Sequence, residues 1–167
     1  ETSDLETQTI QPQQGEVWIE EPKIGIFLCS CAGTMADELD LPRLCSELKE
    51  RPYVDCAEVV DNSCTPQGLL GLRKFIGEHE LNRIVIGACS VRDMERSLDA
   101  FADEIGFNRN AFVVANLREQ CFFPHQGAPE VVQSKAKALL AAALTQVFRN
   151  LPAPVAEVTV EPRALVV

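Results

Sequence analysis

Apolar positions come in two alternating rhythms. Short runs of five to seven residues, rich in β-branched and aliphatic side chains, stand between longer stretches with apolar residues at spacings of three and four. The first kind reads as buried strands and the second as amphipathic helices. Strands are expected over Lys23 to Leu28, Val54 to Val60, Arg83 to Ala88 and Ala111 to Ala115. A helix from Asp40 to Glu50 carries Leu41, Leu44, Cys45 and Leu48 on one face, with Pro42 in its first turn. Thr65 caps a second helix that opens on Pro66 and carries Leu69, Leu72, Phe75 and Ile76 to about Glu78. Ser90 stands where a cap is needed for a third, with Met94, Leu98, Phe101 and Ile105 on its apolar stripe and Gly106 as its stop. A long Ala- and Leu-rich helix spans Pro129 to Arg149.

Strands that alternate with helices predict an α/β fold. It is a three-layer sandwich around a parallel, flavodoxin- or Rossmann-like sheet of about four strands. The expected order is 2-1-3-4, with the switch point between the first and third strands. Residues 1–22 are polar and without period, and read as a flexible arm; residues 23–149 form the α/β domain. From residue 150 to 167 the composition turns to proline. Glu157 to Val160 is a short extended piece, and Arg163 to Val167 resembles a strand cut off as it begins. The chain therefore reads as one module of a longer polypeptide.

Composition narrows the function. Fifteen basic against twenty-five acidic residues give a formal net charge of -10. That excludes a nucleic-acid face, which needs clustered Lys and Arg, and an anionic membrane surface. No apolar run is long enough to cross a membrane. Seven cysteines are many, and an odd number does not close a disulfide framework. A reducing, cytoplasmic setting with thiols kept for metal or redox chemistry fits better.

Those thiols follow a pattern. Cys29 or Cys31, Cys64, Cys89 and Cys121 each fall just after an expected strand. In a parallel sheet the strands point the same way, so these thiols gather at the carboxyl edge, where α/β proteins bind ligands. Four thiolates at one place suit a [4Fe–4S] cluster, and by ligand type zinc as well. The plainer alternative is that small buried cysteines only pack. That alternative is assigned to Cys45, on a helix face, and to Cys56, inside a strand. Of the neighbouring pair, Cys31 lies further into the loop and is taken as the ligand, with Cys29 as substitute or as a second thiol able to exchange. Gly33 gives that loop the backbone freedom a tight turn around a bound group requires. Arg92 and Arg118 stand beside the expected ligands, able to offset a cluster's negative charge or to pair on the surface. His79, near a helix end, is read as a solvated cation; His125 as a capping or surface residue. There is no nucleophile–base pair, paired carboxylate or Gly-rich phosphate loop.

Three segments together resemble a known family: Ile24-Gly-Ile-Phe-Leu-Cys-Ser-Cys, Asn82-Arg-Ile-Val-Ile-Gly-Ala-Cys-Ser-Val-Arg and Ala115-Asn-Leu-Arg-Glu-Gln-Cys. The resemblance is to the amino-terminal domain of the A-type subunit of heterodisulfide reductase, over about Lys23 to Phe148. It implies an iron–sulfur electron-transfer module, with Cys31, Cys64, Cys89 and Cys121 matching the family's cysteines. It implies FAD in the full-length protein but not in this chain, with residues 150–167 leading into an FAD-binding domain. The partners implied are B- and C-type subunits and a hydrogenase or formate dehydrogenase as electron donor, in a flavin-based bifurcating complex; a homodimer is compatible with it.

Overall fold

The computed structural model describes residues 20–151. The extended piece at Glu157 to Val160 and the strand-like end from Arg163 lie outside them, as do most of the expected arm and linker. Within them four strands form one parallel sheet: β1 (Ile24–Cys29), β2 (Val54–Val60), β3 (Arg83–Ala88) and β4 (Phe112–Asn116). Their order is β2-β1-β3-β4, as the alternation of elements predicts. β1 and β3, the two inner strands, are buried at every position, which is why they read as unbroken apolar runs.

The helices are α1 (Leu41–Lys49), α2 (Pro66–Glu78), α3 (Val91–Ile105) and α4 (Pro129–Arg149). α1 and α4 cover one face. Ile24, Ile26 and Leu28 of β1 pack there with Leu44 and Leu48 of α1 and Val132, Ala136 and Leu140 of α4. α2 and α3 cover the other face, where Phe27 of β1 and Ile84 and Ile86 of β3 meet Leu72, Met94, Leu98 and Phe101. Successive strand residues point to opposite faces, so each inner strand feeds both layers.

Local chemistry sets the helix ends. Asp40 accepts from the Arg43 N–H at 2.9 Å, and Thr65 Oγ1 from the Gly68 N–H at 3.2 Å. Ser90 differs from expectation: its side chain makes no capping bond. Its carbonyl instead accepts from the N–H groups of Asp93 and Met94 at 3.1 and 3.3 Å. Gly106 ends α3 in the left-handed region (φ 67°), and the Phe107 N–H closes the turn on the Ala102 carbonyl at 2.8 Å. The fourth strand starts one residue later than expected, because Arg109–Ala111 winds into a short 3-10 turn. Among the described residues no helix is long and apolar enough to cross a membrane.

Two glycines test the packing in opposite directions. A β-carbon on Gly87 would come within 2.8 Å of both Leu117 and Leu28 and 3.2 Å of Leu140, whereas one on Gly71 would meet nothing within 4 Å. Gly87→Ala should therefore destabilise by about 1–3 kcal/mol. Gly71→Ala, at a half-buried position of the α2 interior with room for the added methyl, should stabilise by about 0.5–1 kcal/mol. Chemical denaturation, with the transition slope unchanged, checks both.

Candidate metal centre at the carboxyl edge of the sheet

Because the four strands run parallel, their carboxyl ends share one edge, and five of the seven cysteines lie there. Cys29 is the last residue of β1, and Cys89 directly follows β3. These are adjacent inner strands, so the two thiols stand at the switch point, both on the α2/α3 side of the sheet. Cys31 lies between the layers and packs against both. Cys64, in the loop between β2 and α2, is exposed. Cys121 is fully buried on the α1/α4 side, in a single π-helical turn, Arg118–Phe122.

The loop after β1 is the most strained part of the edge. Cys31, Ala32 and Gly33 follow one another in the left-handed region, at φ 49°, 55° and 82°. Gly33 takes this at little cost, but each non-glycine residue there costs roughly 1–2 kcal/mol. The turn is closed by the Gly33 N–H on the Ser30 carbonyl at 3.0 Å and the Thr34 N–H on the Cys31 carbonyl at 3.2 Å. Strain held by this many closing bonds is the kind that collects at functional sites.

Its result is a close pair of thiols. The Cys31 thiol donates to Cys29 Sγ at 3.7 Å, and Cys29 Sγ also accepts from the N–H groups of Cys31 and Ser63, each at 3.4 Å. The Cys31 thiol, and the N–H donors after it, hold the Cys29 thiol down at about 5 in spite of its burial. The same bond pushes Cys31 far up, with burial and the Cys29 charge acting in the same direction. Burial raises Cys89 and Cys121 as well. Cys45 and Cys56 are buried in the core as expected, and burial pushes each up to about 11.

Arg118 is a cation whose field reaches the thiols. Its guanidinium pairs with Glu119 Oε1 at 2.7 Å and lies 3.9 Å from Asp93. Its charge acts on both Cys31 and Cys89. Arg92 is exposed in the first turn of α3. His125 does not approach the thiols with its ring: Nδ1 donates to the Cys121 carbonyl at 2.7 Å, the capping role. His79 is not a free cation, since Nδ1 lies 2.7 Å from Asp55 Oδ2.

The donor set suits an iron–sulfur cluster in chemistry, as soft thiols from four separate loops. The arrangement is open. Among the described residues no three His, Cys, Asp or Glu side chains come together to hold a metal ion. Cys121 is turned away, its thiol donating to the Val132 carbonyl at 3.1 Å.

Two residues of the edge escape the sequence reading. Ser63 is buried and holds Cys29 through its N–H. Gly68 lets the first turn of α2 lie against the backbone of Asn62 and Ser63, where a β-carbon would collide with the Asn62 carbonyl. A glycine in the first turn of a helix was the available signal for that close approach.

No protein-family model matches the chain. It is 32% identical to the A-type subunit of the H2:CoB–CoM heterodisulfide,ferredoxin reductase of Methanothermobacter thermautotrophicus, over 93% of this chain and 24% of the relative. It is 30% identical to one of the iron–sulfur A-type subunits of the CoB–CoM heterodisulfide reductase of Methanopyrus kandleri, over 89% of the chain and 22% of the relative. To the A-type subunit of the ferredoxin:CoB–CoM heterodisulfide reductase of Methanosarcina acetivorans it is 31% identical, over 87% and 18%. The chain thus spans about a quarter or less of the length of these relatives.

The contact between Cys29 and Cys31 has a consequence for titration. In metal-free protein at low salt, thiolate ultraviolet absorbance should show one group deprotonating near pH 5, and Cys29→Ser should remove that step. Cys31→Ala removes the main cause of the depression, so the step should move up toward the ordinary thiol range. A step unmoved by Cys31→Ala would mean that the Ser63 N–H alone holds the thiolate.

Proposed function

Since the chain belongs to the family of heterodisulfide reductase A-type subunits, as a segment of that length, we propose that it is an electron-transfer module holding one [4Fe–4S] cluster. The ligands are Cys31, Cys64, Cys89 and Cys121, with Cys29 as the thiol beside them. The observation that carries this reading is the gathering of five thiols from four loops on one sheet edge, two of them in contact. One relative carries iron–sulfur in its name, which points the same way. A bound cluster supplies one-electron transfer. The chain's own residues would bind it, limit its exposure and set its charge balance: Cys89 and Cys121 from buried positions, Cys121 once its thiol leaves the Val132 carbonyl, and Cys31 from the strained loop that Gly33 completes.

Arg118 supplies the fixed positive charge of the site, and Arg92 adds a second, more exposed one. Reduction adds negative charge, so a nearby guanidinium favours the reduced state and raises the potential. Cys64 is the exposed thiol of the set, which makes its loop the shortest route for electrons to the surface. FAD, held outside this chain, would be the group that exchanges electrons with such a cluster. The same reading puts the protein in the cytoplasm, assembled with B- and C-type subunits and a hydrogenase- or formate dehydrogenase-type donor, in flavin-based electron bifurcation.

Protein purified without oxygen should contain about four iron and four acid-labile sulfide per chain, with an EPR signal after reduction. Zinc, or no metal, would overturn the reading. Cys89→Ala should lose the cluster, while Cys45→Ala should keep full iron, since its thiol lies in the α1 core. Arg118→Gln should keep the iron and shift the reduction potential to a more negative value, measured by redox titration.

A further inference from the structure

Four ligands satisfy a cluster of this type, yet five thiols stand at the edge. The surplus has a definite place. Cys29 and Cys31 are separated only by Ser30, their sulfurs are 3.7 Å apart, and no side chain need move far for the two to bond. They differ in access: Cys31 is half-exposed and Cys29 is 3% exposed. The run of left-handed residues at Cys31, Ala32 and Gly33 bends the chain back and brings the second thiol onto the first.

We propose that, in protein without a cluster, Cys29 and Cys31 form a thiol–disulfide exchange site that reacts with low-molecular-weight disulfides and closes into an intraloop disulfide. The inference rests on the cluster reading only for its consequence, that the closed form cannot take up iron. The order of steps follows from access. The half-exposed Cys31 sulfur passes its proton along its hydrogen bond to the Cys29 sulfur and attacks one sulfur of the small disulfide; a mixed disulfide forms and one small thiolate leaves. The buried Cys29 sulfur then attacks the Cys31 sulfur, displacing the second small thiolate and closing the protein disulfide. Two protein thiols give up two electrons and two protons, and the small disulfide takes both as two small thiols. The Ser63 N–H, 3.4 Å from Cys29 Sγ, stays with that sulfur throughout. Closure removes Cys31 from the ligand set, so a thiol reductant is needed before the cluster can be rebuilt.

The pair can be read without interference from the other five thiols, because trypsin releases residues 24–43 as one peptide whose only cysteines are Cys29 and Cys31. The full chain, purified without oxygen and stripped of metal by a chelator, is incubated with oxidised glutathione, and its free thiols are then alkylated. The expected result is that this peptide loses two hydrogens, gains no alkyl group, and recovers both alkylation sites after dithiothreitol. In Cys29→Ser the second step has no attacking sulfur, so a glutathione adduct should persist on Cys31. Two free thiols in the 24–43 peptide, or an adduct that persists in the unaltered chain, would overturn the proposal. Iron uptake separates it from the cluster reading. The disulfide form should take up no iron while the reduced form takes up its full complement. If the reduced form also takes up none while the disulfide still closes, the cluster reading fails and the exchange site stands.

Discussion

Parallel pairing of the four strands is the constraint from which everything else in this domain follows. It sends every carboxyl end to one edge, and so gathers residues separated by up to ninety-two positions, from Cys29 to Cys121, on one side of the molecule. It also needs both faces covered, because β1 and β3 have no polar side to turn to water. The four helices meet that need two by two. They leave the edge itself to loops, where backbone angles are chosen for position more than for regularity.

Position at the edge comes with local strain and close approach. The left-handed run at Cys31, Ala32 and Gly33 folds one thiol onto another. Gly68 allows the loop bearing Cys64 to settle on the first turn of α2. The same closeness sets the electrostatics. Two sulfurs in contact share one proton, so one thiol is depressed and its neighbour is raised; burial alone would have raised both. Arg118, in the π-helical turn that also carries Cys121, brings a fixed cation to Cys31 and Cys89. An edge built this way combines depressed and raised thiols, a nearby guanidinium and partial exposure.

Much of this was legible in the chain. Short apolar runs and period-3.6 patterning marked β2, β3, α2 and α4 at the bounds they occupy. Asp40, Thr65 and Gly106 marked the helix ends where they act. Strand–helix alternation implied the sheet order, and the position of each cysteine just after a strand implied the shared edge. Cys45 and Cys56 were separable from the rest because one fell on an apolar helix stripe and the other inside a strand. These are local or topological facts, carried by residue type and spacing.

Other features depended on contacts between distant parts of the chain. Ser90 has the right side chain for a cap but bonds through its carbonyl only, and no pattern in the sequence distinguishes the two. His79 finds Asp55 on a strand twenty-four residues away and so is not simply solvated, while His125 takes up the expected capping role only because the turn brings the Cys121 carbonyl to its ring. Cys121 points to Val132 across the α4 layer, although it follows its strand much as Cys89 does. Residue type and spacing are enough to say which elements form, in what order they pair and which thiols reach the edge, because periodicity and strand direction need only near neighbours. Which thiols touch, which one holds a charge and which turns away follow from the folded arrangement, because they depend on rotamers and loop angles set by packing between segments remote in the chain.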